Sequence, residues 1–252
     1  MALSLSPTIL KMRALALQTL QSQILQMQGI SPAPNPFAHH FLGPIRYSFP
    51  NYTFPLGAVH EFVTENKESS ASTGAFIAGM LKSIMKTGTV VWISQARRIF
   101  PPALKSFGID PDRFIFIDIK KEKDILWAVD EALKCDALSA VVGEMNQLSF
   151  IESRRLQLAV EKSKVTGFVL RNNPKKITTT ACVSRWKITP THSESIDGMP
   201  GLGHPQWNVE LLRIRNGKPG RWELRWEDGR FNYIDNDNTV KLNEEPLRVN
   251  MV

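Results

Sequence analysis

Residues Leu56 to Trp92 read LGAVHEFVTENKESSASTGAFIAGMLKSIMKTGTVVW, and this run decides the fold. It opens with a short β-prone stretch, Ala58 to Val63, and continues into a polar loop, Thr64 to Thr73. Phe76, Ile77, Met80, Leu81, Ile84 and Met85 then recur at helical spacing, and a second β-prone run covers Thr89 to Ile93. Strand, loop, helix and strand in that order form a phosphate-binding unit. Such a loop needs glycines that turn backbone N–H groups toward phosphate, then a Lys and a Ser or Thr. Here it reads Glu65-Asn66-Lys67-Glu68-Ser69-Ser70-Ala71-Ser72-Thr73-Gly74, without the Gly-Lys pair. Glu65 and Glu68 would repel a triphosphate. The scaffold is kept and the chemistry is missing.

Downstream, helices and strands alternate. A helix is expected over Arg98–Phe107, with Pro101 and Pro102 in its first turn, then a strand over Arg113–Ile119. A helix over Glu122–Cys135 leads to a strand at Ser139–Gly143, and a helix over Ile151–Lys164 to a strand at Thr166–Leu170. This alternation predicts an α/β fold with a mostly parallel sheet covered on both faces. After Arg171 the pattern becomes β-rich at Thr178–Thr189, Gln206–Arg215 and Arg221–Glu227, with Gly217-Lys218-Pro219-Gly220 as a hairpin turn. These three segments are expected as an antiparallel extension. Magnesium-dependent ATPases of this class carry an acid at the end of a later apolar strand. Here that position is Gly143, and alternation is expected to aim Glu144 at the opposite face.

Upstream, Ser6-Pro7 is a helix start, and Leu10, Ala14, Leu17, Leu20, Ile24 and Met27 form an amphipathic stripe that ends at Gly29. Ser31-Pro32-Ala33-Pro34-Asn35-Pro36 is an extended linker. The stripe either packs on its own domain or docks on another molecule. The expected division is an arm over 1–36, a core over 37–230 and a loosely ordered tail over 231–252.

The formal charge of +7 and a pI near 9.5 permit contact with nucleic acid or acidic proteins. Cys135 and Cys182 are too few for a disulfide framework or a four-ligand zinc site and suit a reducing compartment. No apolar run reaches the roughly 20 residues of a membrane span, and Lys11 and Arg13 interrupt any signal-peptide pattern, so a cytoplasmic protein is expected. His39, His40, His60, His192 and His204 lack metal-ligand spacing, and no nucleophile elbow or dinucleotide motif occurs, so no catalytic residue, metal or cofactor is expected.

From Phe54 to Asp228 the order of elements resembles a RecA-family ATPase core that has lost its active site. More narrowly, the chain resembles the ImuA family. Ser153-Arg154-Arg155-Leu156-Gln157-Leu158-Ala159, Val165-Thr166-Gly167, Trp207-Asn208-Val209-Glu210-Leu211-Leu212-Arg213 and Gly217-Lys218-Pro219-Gly220-Arg221-Trp222-Glu223-Leu224 carry the match. The glutamate that activates water in RecA proteins has no counterpart in Ile93-Ser94-Gln95-Ala96-Arg97. Arg213 and Arg215 match basic residues that reach a neighbouring subunit in recombinases. The DNA-contacting loop is short here, leaving Arg171, Lys175 and Lys176 as candidate phosphate contacts. The resemblance implies a non-catalytic accessory role in damage-induced, SOS-type error-prone translesion synthesis. Its partners would be an ImuB-like inactive Y-family polymerase, RecA and an error-prone C-family polymerase. The N-terminal stripe, with Leu10, Leu17 and Ile24, would dock as the RecA arm does. Two other readings are a SulA-like division inhibitor, which is also an ATP-less RecA relative, and a divergent ATPase that uses Lys67.

Overall fold

A computed structural model describes residues 12–13, 16–17, 19–20, 23, 42–85, 88–96, 99–193 and 203–234. Its centre is a nine-stranded sheet in the order β3-β2-β4-β5-β1-β6-β7-β8-β9. The strands are β1 (Val59–Thr64), β2 (Thr89–Ser94), β3 (Phe114–Asp118), β4 (Leu138–Met145), β5 (Thr166–Asn172), β6 (Ser184–Pro190), β7 (Gln206–Ile214), β8 (Gly220–Glu227) and β9 (Arg230–Tyr233). Strands β1 to β6 pair in parallel, and β7, β8 and β9 add antiparallel. The expected class holds, with one difference. The first β-rich segment after Arg171 joins the parallel part, because β6 pairs in parallel with β1 through His60↔Ser184 to Val63↔Lys187.

Helix α1 (Lys67–Ile84) covers one face of the sheet, and α2 (Glu122–Leu133) and α3 (Phe150–Ser163) cover the other. Strand β1 is buried at every position, as a central parallel strand must be. Helix α3 begins with a full capping box, in which Ser149 accepts from Glu152 N and the Glu152 side chain accepts from Ser149 N. Gly79 lets α1 lie on the antiparallel extension, since a Cβ there would come within 2.6 Å of the Phe231 ring. The 310 segments Gly43–Ser48 and Pro50–Tyr52 close the same layer through Ile45, Phe49 and Phe54.

Three local expectations change. The helix expected over Arg98–Phe107 is a 310 helix over Pro101–Phe107, with its two prolines at the opening positions and Gly108 in left-handed backbone at its end. The segment Thr178–Val183 is not a strand but is held by arginines described below. The tail does not begin at Phe231, because Phe231 is buried against Trp226, Trp207 and Phe76 as part of β9. Residues 235–252, Leu10 and Ile24 lie outside the described residues. Met12, Arg13, Ala16, Leu17, Thr19, Leu20 and Gln23 are helical, and Leu17 is 60% exposed.

Candidate functional site

In open α/β sheets ligands bind beyond the carboxyl ends of the strands, where the strand order reverses. Here that place is the end of β1, between β5 and β6, and the start of α1. The polar loop expected over Thr64–Thr73 is absent. Only Glu65 and Asn66 separate β1 from α1. Asn66 adopts extended backbone, and its Oδ1 accepts from Ser69 N at 2.7 Å, which caps the helix. Ser70 N donates to Asn66 O at 3.1 Å, and Thr73 Oγ1 donates back to Ser69 O at 2.7 Å, so the Ser/Thr run becomes the first two turns of the helix. The chain winds into a helix where a phosphate loop would open, and no glycine with positive φ lies between Thr64 and Gly74. Lys67 is exposed at the first helical position, and Glu65 pairs with Lys187 at 2.7 Å.

A buried polar chain crosses the strand ends beneath this cap. Trp92 Nε1 donates to Glu144 Oε1 at 2.8 Å, and Asn172 Nδ2 donates to Glu144 Oε2 at 3.3 Å. Asn172 Oδ1 accepts from Ser70 Oγ at 2.6 Å and from Thr64 Oγ1 at 3.4 Å. The expectation for Glu144 is corrected. Alternation holds, but its phase is the reverse. Gly143 faces α2, where a Cβ would lie 2.5 Å from Val129 Cγ2, and Glu144 faces α1 together with Val142 and Ala140. An acid therefore stands where an ATPase would hold magnesium, engaged by Trp92 and Asn172. Beside it, a cleft of about 190 Å³ between α1 and Pro101–Phe107 is walled by Ala71, Gly74, Ala78, Leu104 and Phe107. That is smaller than the roughly 300–1,000 Å³ of small-molecule sites, and among the described residues no Lys or Arg lines it. A wider groove of about 470 Å³ runs between α2 and α3, away from this chemistry. Its Asp130 is answered by Lys134 at 2.9 Å and Arg155 at 3.5 Å, which makes it a salt-bridged surface groove.

The opposite face of β1 holds a second cluster. Glu61 is fully buried, and its oxygens accept from Arg171 Nη1 at 2.7 Å, Arg185 Nε at 2.8 Å and Thr180 Oγ1 at 2.8 Å. Arg213 Nη2 donates to Thr180 O at 2.9 Å and Cys182 O at 2.7 Å, and Arg215 Nη2 to Ala181 O at 2.9 Å. These arginines tie segment 180–182 to the sheet. Arg171, expected as a phosphate contact, is corrected on the same ground. Its side chain is 0% exposed and is spent on Glu61 and on Lys176 O, so it shapes the loop from within. Lys175 and Lys176 are exposed on that loop. Burial and the neighbouring Arg154 and Arg213 hold Arg215 below the usual guanidinium range.

His60 is buried between Pro55 O, 2.7 Å from Nε2, and Ser184 Oγ, 2.6 Å from Nδ1. Burial lowers its pKa to about 4, partly opposed by the Pro55 hydrogen bond, so it is a neutral core residue. Among the described residues no group of three or more His, Cys, Asp or Glu is placed to hold a metal ion, and no helix is long and apolar enough to cross a membrane. Glu61, Asn172 and Arg185 escaped the sequence reading. A glutamate in a strand otherwise composed for burial was the available signal for the first.

A mostly parallel sheet flanked by helices, with an antiparallel C-terminal extension, defines a RecA-like core. Two curated relatives carry a more specific likeness, both called Protein ImuA, from Caulobacter vibrioides strain NA1000 and strain ATCC 19089. Each is 33% identical over 193 residues, covering 71% of this chain and 79% of the relative. No family model matches the chain. The chain belongs to the ImuA family.

Proposed function

We infer that this chain is an accessory protein of error-prone translesion synthesis that works by binding and not by catalysis. The observation that carries the reading is the two-residue link between β1 and α1, closed by the Asn66 cap. It offers no glycine-lined cradle for phosphate, and the cleft beside it is small for a nucleotide and has a carboxylate, Glu144, in its wall. Membership of the ImuA family supports the mutagenesis setting, with an ImuB-like inactive Y-family polymerase as first partner and RecA and a C-family polymerase as further ones. A cytoplasmic setting follows from this reading.

The N-terminal stripe is the proposed docking element, with Leu10, Leu17 and Ile24 as its contacts. The exposure of Leu17 supports it, because an apolar face left in water is available to a partner. Arg213 and Arg215 act first as internal anchors, and a partner would meet only their half-exposed sides. Lys175 and Lys176 would supply at most a weak phosphate contact. The proposed division is an arm to residue 36, a core that runs through β9, and a tail beyond it.

The test is light scattering after size exclusion, on the chain alone and with its ImuB-like partner, with and without ATP. A complex that forms without ATP is expected, and Leu17→Glu should weaken it. A complex that requires ATP, or ATP turnover abolished by Lys67→Ala, would overturn the reading.

A further inference from the structure

We propose that Arg46, Tyr47, Tyr52 and Lys218 form a stacking platform for single-stranded nucleic acid. The 310 segments that carry the tyrosines are pinned from below. Ile45, Phe49 and Phe54 are buried in the core, so the backbone is rigid. Above them, Tyr47 and Tyr52 are each 60% exposed. Their rings meet edge to face, with centroids 5.6 Å apart and planes at 75°. Isolated exposed aromatics are ordinary, but a pair fixed in one geometry on a rigid base is a preformed surface.

Three further observations bear on its ligand. Tyr52 has φ +56, a left-handed conformation that a bulky residue rarely adopts. Strain of this kind concentrates where a side chain is held out for a ligand. The Arg46 guanidinium lies 4.9 Å from the Tyr47 ring centre, and its Nη2 donates to the Tyr47 hydroxyl at 2.9 Å, which adds a third flat, cationic surface. The β7–β8 hairpin is locked beside the segment. Lys218 N donates to Ser48 O at 3.0 Å, and the approach is so close that a Cβ on Gly217 would lie 2.1 Å from that oxygen. The lock fixes the exposed Lys218 beside Ser48, the residue after Tyr47.

Charge selects the partner. Residues 42–58 contain no Asp or Glu, and the hairpin turn 216–220 contributes Lys218 and no acid. Aromatic faces beside cations, with no carboxylate in either segment, match the bases and phosphates of a strand. A duplex offers phosphates but keeps its base faces stacked, so single strands are preferred. This surface is separate from the Lys175–Lys176 loop and does not depend on the polymerase-binding reading.

The experiment is fluorescence anisotropy of the full chain with fluorescein-labelled oligo-dT at low salt, with unlabelled duplex as competitor. An oligonucleotide containing 2-aminopurine reports stacking by quenching. In one variant Tyr47→Ser is joined to Tyr52→Asn, because Asn accepts left-handed backbone. A second variant is Lys218→Glu, at an exposed position. The expected result is binding to oligo-dT that duplex displaces poorly, weakened at least tenfold by the tyrosine variant with loss of quenching. Lys218→Glu should weaken it and flatten its salt dependence. Circular dichroism should match the parent in both variants. No binding by the parent chain overturns the proposal. So does binding that only a Lys175→Ala/Lys176→Ala variant weakens. If the tyrosine variant loses the ImuB-like partner and keeps oligo-dT, the surface is a protein interface and the proposal is wrong.

Discussion

Replacing Glu61 by alanine should be among the most damaging single changes in the core. Glu61 and Arg171 are both 0% exposed and meet at 2.7 Å. Arg185 and Thr180 complete the ring of donors around the carboxylate. Removing it leaves the Arg171 guanidinium buried without a counter-charge, while its Nε already lacks a partner. Breaking a buried pair from one side costs roughly 3–5 kcal/mol. For a domain of this size that corresponds to a fall in Tm of roughly 6–20 °C. Urea unfolding followed by tryptophan fluorescence would measure the loss. The double variant Glu61→Leu/Arg171→Met separates charge from packing, since replacing both members of such a pair by apolar groups is often neutral or stabilising. It should therefore recover most of what Glu61→Ala loses. A loss below about 1 kcal/mol for Glu61→Ala, or a double variant no better than the single, would refute the assignment of an uncompensated buried charge.

Three other outcomes follow from the geometry. Asn66→Ala removes the cap on Ser69 N and should cost about 1 kcal/mol in urea unfolding, while Asn66→Asp should cost less. Burial holds His60 near 4, below its ordinary 6.5, so between those values the unfolded chain binds the extra proton. Stability should rise with pH across that window by roughly 3 kcal/mol, and His60→Gln should show a flatter profile there than the parent. Burial, followed by the nearby Glu61 charge, pushes the Cys182 thiol up to about 12, whereas Cys135 is exposed. A disulfide reagent should titrate one thiol in the native protein and two after unfolding.

The parallel sheet was legible because its buried strands are short apolar runs separated by helical periodicity. VHEFVT, TVVWIS and LSAVVGEM fall where the strands do, to within a residue or two. The direction of β6 was not legible. Thr178–Thr189 alternates as an antiparallel strand would, and only its docking beside β1 fixes it as parallel. The helix start was misread for a similar reason. Ser and Thr clusters suit loops, yet Ser70 is drawn into the helix by Asn172, which is 102 residues away in sequence. The phase of Glu144 depended on which face α1 covers, and a single strand does not record that. Arg171 looked like a surface cation because its partner Glu61 lies 110 residues earlier. The direction of β6, the placing of Ser70 and the burial of Arg171 rest on pairs remote in sequence, where local pattern carries no signal.

The central position of β1 also sets an order of events during synthesis. Its neighbours are β5 and β6, and His60 meets Ser184 across 124 residues. When β1 leaves the ribosome neither flank exists, so its two edges stay open until most of the core has been made. Loop closure over such distances is slow, and open apolar strands invite mispairing. Helix α1, capped locally by Asn66, and Phe54, stacked on His60, are neighbours that can cover one face of β1 early. The cap that starts this helix therefore also shelters the first strand while it waits for its partners.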